Sequence, residues 1–84
     1  MSGVARFQLV TREDCELCEE MLAELQQFCV GRAASIEILD VDADARLRER
    51  YGHRVPVLLL DGEPVCYAHF DAAEVTRLLR SSHP

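Results

Sequence analysis

The sequence contains no lysine, and its nine basic residues, all arginine, are outnumbered by fifteen acidic ones, giving a net charge of −6 over 84 residues. No basic cluster interrupts that balance, so a polyanion such as DNA or RNA would be repelled rather than gathered. Long apolar runs are missing as well. The longest, Val55 to Leu60, is far too short to cross a bilayer. The opening residues, Met1-Ser2-Gly3-Val4-Ala5-Arg6, lack the basic head and apolar core of a secretory signal, so a cytoplasmic location is expected, where structural disulfides are rare. No internal repeat or low-complexity stretch is visible, and only the first three residues and Ser81-Ser82-His83-Pro84 read as loose ends.

What remains is an ordinary globular composition, 49% apolar and 29% charged. The length fits one domain over residues 1–84. A domain of this size buries only about 60–65% of its unfolded surface, so its stability margin is thin.

Val4 to Val10 is rich in strand formers and reads as a buried strand. From Cys15 to Cys29 the apolar residues Leu17, Met21, Leu22, Leu25, Phe28 and Cys29 fall within an arc of about 140°, which predicts an amphipathic helix ended by Gly31. Ser35 to Leu39 is a second strand. Asp42 is expected to cap a short helix carrying Ala43, Leu47 and Tyr51 on one side and stopped by Gly52. Val57 to Leu60 reads as a wholly buried strand, Asp61-Gly62 as a tight turn, and Val65 to Ala68 as the partner strand of a hairpin. Asp71 and Glu74 form a capping-box pattern, with Phe70 able to staple onto Val75, and Val75, Leu78 and Leu79 make the last helix's buried stripe. The order is βαβαββα, in which the first two strands should pair in parallel.

The strongest motif is the pair Cys15 and Cys18, directly after a strand and opening a helix. One helical turn brings two Cα atoms to about 5–6 Å, a span a disulfide tolerates. Free N–H groups at a helix start favour thiolate over thiol, so Cys15 at the tip is the expected nucleophile. Cys18 falls on the wheel between Leu25 and Cys29 and should face the core as a sheltered resolving thiol. The competing readings are two incidental cysteines or half of a zinc site. Cys29, Cys66, His53, His69 and His83 are the other candidate ligands for zinc, and none of them repeats a close ligand pair. The strand-then-helix context favours redox chemistry, and no metal is expected. Glu13, Asp14, Glu16, Glu19 and Glu20 surround the pair, with only Arg12 and Arg54 to oppose them, so like charge should limit activation of Cys15. Cys29 stands about 16 Å from Cys18 along a continuous helix and is expected to be buried filler. A structural role is expected for Cys66.

Pro56 cannot donate to a sheet ladder, so it must start a strand or mark a bend. A cis peptide is the sharper alternative, and would leave the Val55 backbone free to pair with an extended peptide or thiol substrate. His53 and His69 read as solvent-facing loop residues, with proton shuttling as the alternative. Asp40, Asp42 and Asp44 lack the Gly and Glu that a calcium loop requires, which leaves Asp42 as a cap.

Thr11 to Cys18, the Arg54-Val55-Pro56-Val57 segment and the Asp61-Gly62 hairpin resemble the glutaredoxin-like branch of the thioredoxin superfamily, in particular a group of short bacterial glutaredoxin-like proteins. Tyr51-Gly52 and Phe70-Asp71 extend the resemblance over nearly the whole chain. It implies a thioredoxin-like α/β fold, a mixed sheet flanked by helices, and thiol-disulfide oxidoreductase activity on protein or low-molecular-weight disulfides. It makes Cys15 and Cys18 the redox centre, Pro56 a cis residue packed opposite, and Val55 a backbone contact for substrate. Two departures bear on the reductant. Glu16-Leu17 replaces the usual Pro and aromatic residue, and Tyr67-Ala68-His69-Phe70-Asp71 has no glycine where glutaredoxins proper hold the γ-glutamyl end of glutathione in a Gly-Gly turn. An acidic rim also disfavours an anionic tripeptide. Glutathione and a thioredoxin-reductase-type donor are therefore equal candidates, with no bound cofactor and a monomeric chain expected. The second function class is a non-catalytic binding module whose dithiol is vestigial or metal-bound.

Overall fold

A computed structural model describes residues 3–81. Its elements are β1 (Ala5–Thr11), α1 (Glu16–Cys29), β2 (Ala34–Asp40), a 3-10 turn (Val41–Ala43), α2 (Ala45–Tyr51), β3 (Val57–Leu60), β4 (Glu63–Tyr67) and α3 (Ala72–Ser81). The expected βαβαββα order is present, with the 3-10 turn as an addition. The sheet runs β2-β1-β3-β4. β1 pairs with β2 in parallel, from Ala5 opposite Ala34 to Thr11 opposite Asp40. The β1–β3 and β3–β4 pairs are antiparallel. Of the expected loose ends, Met1, Ser2, Ser82, His83 and Pro84 lie outside the described residues. Ser81 departs from that expectation as the last residue of α3, its hydroxyl donating to the Leu78 carbonyl at 3.1 Å.

Side-chain alternation divides the core between the two faces of the sheet. Phe7, Leu9, Leu58, Leu60 and Cys66 meet Met21 and Leu25 of α1 and Val75 of α3. On the opposite face Val10, Val57 and Leu59 meet Val41 and Tyr51, with Leu47 of α2 packed alongside. β3 is central and covered on both sides, which is why all four of its residues are apolar and buried. Each such Leu or Phe contributes about 1.5–3 kcal/mol of burial.

Two local expectations need correction. Asp42 does not cap α2. Asp40 caps the 3-10 turn by accepting the Asp42 N–H at 2.9 Å, and Asp44 caps α2 by accepting from Arg46 and Leu47. The inserted turn moves the start of α2 past Asp42 and frees that carboxylate for a longer-range contact. The fourth strand begins at Glu63 rather than Val65 and ends at Tyr67. Pro64 is tolerated because β4 is an edge strand with a register irregularity beside it, opposite Leu58 and Leu59. Ala68 leaves the strand at φ +67°. Asp61 and Gly62 both take positive φ, as a type I′ hairpin turn requires. The capping box at α3 is half made. The Glu74 N–H donates to Asp71 Oδ1 at 3.0 Å, but the Glu74 carboxylate turns to Arg77.

Candidate active site

The chain leaves β1 at Thr11, passes through Asp14 at φ +57°, and reaches Cys15 in extended backbone as the N-cap of α1. Asp is among the few non-glycine residues that accept a left-handed backbone, and here it turns the chain into the helix. The Cys15 and Cys18 Cα atoms are 5.2 Å apart and the two sulfurs are joined in a disulfide. The Cys15 sulfur also accepts the Cys18 N–H at 3.1 Å, so it satisfies one of the free donors of the helix start. The two sulfurs are not equivalent. Cys15 is half-buried, whereas Cys18 is only 3% exposed among core residues.

Glu13, Asp14, Glu16, Glu19 and Glu20 are all exposed around this point, and Leu17 is 38% exposed beside them. The two arginines expected to balance these charges are otherwise engaged. Arg12 donates through Nε and Nη2 to both oxygens of Asp42, at 2.9 and 3.1 Å, and through Nη1 to the Gly52 carbonyl at 2.8 Å. Arg54 lays its guanidinium over the Tyr67 ring at 5.3 Å. Arg12 holds the Asp42 carboxyl below the usual carboxylate range, chiefly by that hydrogen bond.

The second segment of the site is Val55-Pro56, joined by a cis peptide bond. Antiparallel pairing of Val10 with Val57 brings the start of β3 to the end of β1 from which the cysteine loop departs. Pro56 is buried, and its carbonyl accepts the Ala68 N–H at 2.9 Å. Val55 is half-buried, and among the described residues its N–H and carbonyl have no hydrogen-bond partner. Fold register thus brings the two sequence-singled segments to one end of the sheet.

The remaining candidates are the other two cysteines and the histidines. Cys66 is buried under α3, its sulfur accepting the Asp71 N–H at 3.5 Å, and burial pushes its thiol up from the ordinary value. Cys29, expected to be buried, is half-buried at the end of α1, where desolvation again raises the thiol. His53 and His69 are exposed, and His83 is outside the described residues. Among the described residues no three His, Cys, Asp or Glu side chains converge as a metal site, and no helix is long and apolar enough to cross a membrane. Sequence reading missed the engagement of Arg12 with Asp42 and Gly52, whose partners lie 30 and 40 residues away with no local signal. It also missed the left-handed Ala68, for which the absence of glycine pointed the wrong way.

Residues 6–80 match the model of a family described as glutaredoxin-like domain (DUF836). A Mycobacterium tuberculosis protein, Rv0508, described as uncharacterized, is 30% identical, with 94% of this chain and 91% of that protein covered. Among solved structures, protein Ne2328 from Nitrosomonas europaea superposes with a TM-score of 0.82 at 26% identity, covering 93% of this chain and 94% of that one. Protein XcR50 from X. campestris gives 0.71 at 33% identity, covering 89% and 96%. Thioredoxin 1 from Thermosipho africanus gives 0.65 at 17% identity, covering 94% and 99%, a likeness of fold alone. The mixed four-stranded sheet is therefore thioredoxin-like, and with the family model matched over nearly all its length, the chain belongs to the glutaredoxin-like domain (DUF836) family.

Proposed function

We propose that the protein is a thiol-disulfide oxidoreductase in which Cys15 and Cys18 are the catalytic pair. The observation that carries this reading is the asymmetry of the pair: two sulfurs within bonding reach at a helix N-cap, one partly open to solvent and one in the core. In the reduced protein the Cys15 thiolate attacks one sulfur of a client disulfide. A Cys15–client mixed disulfide forms and the first client thiolate leaves. Cys18, having lost its proton to solvent, attacks the Cys15 sulfur and expels the second client thiolate. Two electrons have then passed to the client and the Cys15–Cys18 disulfide remains.

Regeneration takes two electrons from a thiol reductant, either glutathione or a thioredoxin-reductase-type donor. The unpartnered Val55 amide and carbonyl suit an extended client segment lying beside Pro56. The setting this chemistry calls for is the reducing cytoplasm, with the chain acting as a monomer and without a bound cofactor.

Reduction of insulin and of hydroxyethyl disulfide tests the reading, with each reducing system in turn. Cys15→Ser should abolish turnover, and Cys18→Ser should accumulate the mixed disulfide. A wild-type chain inactive with both donors overturns the proposal in favour of a binding module.

A further inference from the structure

Three separate segments converge on one guanidinium. Arg12 belongs to the cysteine loop, three residues before Cys15. Gly52 closes α2 four residues before Pro56. The chain between them is held short, because the Arg54 N–H donates to the Tyr51 carbonyl at 2.8 Å. Asp42, which takes the other two donors, is itself held. Its N–H goes to Asp40 and its carbonyl accepts from Arg48 Nη1 at 3.2 Å. Gly52 is suited to this place by close approach rather than by its φ of −56°: a Cβ there would collide with the Arg48 carbonyl oxygen.

The pair is too exposed to be explained as a source of stability, since its side chains keep 37% and 48% of their surface open and such pairs contribute little. What a bidentate arginine does supply is fixed geometry between the parts that it joins. The other ion pair among the described residues, Arg77 with Glu74, lies within one helix and joins no separate segments.

We infer that Arg12 is a positioning residue: through Asp42 and the Gly52 carbonyl it sets the Cys15 loop against the Val55-Pro56 segment, and thereby the rate of thiol-disulfide exchange. The inference rests on the oxidoreductase reading above. With its charge matched by Asp42, Arg12 is neither the counter-ion of a Cys15 thiolate nor a free anchor for a substrate carboxylate. Loosening the clamp spreads the angles and distances at which a client sulfur meets Cys15. Misplacement of about 1 Å can cost up to a hundredfold in rate.

The test uses the full chain with hydroxyethyl disulfide as substrate, measuring kcat, KM and melting temperature for Arg12→Gln, Arg12→Lys, Asp42→Asn and the Arg12→Gln/Asp42→Asn double variant. Arg77→Gln, which breaks the helix-internal pair, serves as the control. Arg12→Gln should lower kcat about tenfold with KM within about twofold. The double variant should be no slower than Arg12→Gln alone, because both remove one clamp. Arg12→Lys, which keeps the charge without the fork, should recover only part of the rate, and Arg77→Gln should keep wild-type kcat. Wild-type kcat in both Arg12→Gln and Asp42→Asn overturns the inference, as does a loss confined to KM or one that multiplies in the double variant. If Arg12→Gln does not fold, Arg12→Lys and Asp42→Asn decide by the same criteria. If the wild-type chain turns over no disulfide, the oxidoreductase reading falls by itself. The clamp is then judged by the rate at which dithiothreitol reduces the Cys15–Cys18 disulfide: a change of about threefold or more in Arg12→Gln that Arg77→Gln does not share upholds it, and an unchanged rate overturns it.

Discussion

The Cys18 amide nitrogen stands 3.1 Å from the Cys15 sulfur, so the first turn of α1 is capped by the same atom that the proposed chemistry uses. In the reduced protein that N–H and the helix start both favour a thiolate, while the exposed acidic ring of Glu13, Asp14, Glu16, Glu19 and Glu20 opposes it. Glu16→Gln/Glu19→Gln is therefore expected to speed iodoacetamide labelling of Cys15 at neutral pH by about two- to threefold. Rates measured across pH in low and high salt check this, since salt should shrink the difference.

Cys66 is expected to behave in the opposite way. Its sulfur is buried and its thiol is pushed up by desolvation, with the nearby Asp71 and Glu74 charges adding to the effect. Labelling of the native Cys15→Ser/Cys18→Ser chain should leave Cys66 unmodified until denaturant is added. Cys66→Ala should keep disulfide turnover while costing about 1–2 kcal/mol of stability, read by urea unfolding, because it leaves a small void and removes the acceptor of the Asp71 N–H.

Ala68 holds a left-handed backbone at φ +67° beside the Pro56 carbonyl. That conformation costs a residue with a Cβ about 1–2 kcal/mol, and glycine avoids most of the penalty while loosening the unfolded chain. Ala68→Gly should accordingly stabilise the protein by about 0.5–1 kcal/mol. A lower urea midpoint for the glycine variant would contradict the assignment.

Acid should weaken the fold through two exposed carboxylates. Asp42 and Glu74 are each held below the ordinary range by a hydrogen bond from an arginine, Arg12 and Arg77 respectively. A depressed folded-state value means that the contribution is complete above the unfolded-state value of about 4 and is lost as pH falls through the lower folded-state value. The urea midpoint should therefore decline below about pH 4, and Asp42→Asn should make that decline shallower. Both groups are open to solvent, so the slope will be gentle.

Much of this architecture was legible because its signals are local. The apolar spacing of Met21 and Leu25, the Asp61-Gly62 turn and the unbroken Val57 to Leu60 run each report on a few neighbouring residues, and each corresponds to an element in place. The pairing of Cys15 with Cys18 was legible for the same reason, being set by one helical turn. Three aspartates at alternate positions were not separable in this way. Asp40, Asp42 and Asp44 can each cap a helix, and only the three-residue turn between β2 and α2 decides that the outer two do so. The task of Arg12 is settled by a carboxylate and a carbonyl that β2, the turn and α2 deliver from far along the chain. Pro64 lies inside β4, ahead of the expected start at Val65, and the edge place of that strand in the sheet admits it.

That proline also governs how the molecule meets its own copies. An outermost strand offers a row of unmet amides on which another backbone can grow, the first step toward fibrils. Along β4 the row is broken by the missing proton of Pro64 and bent by the irregularity beside it. Crowded chains are thus denied lateral growth on that flank, and any strand-to-strand aggregation has to start from β2.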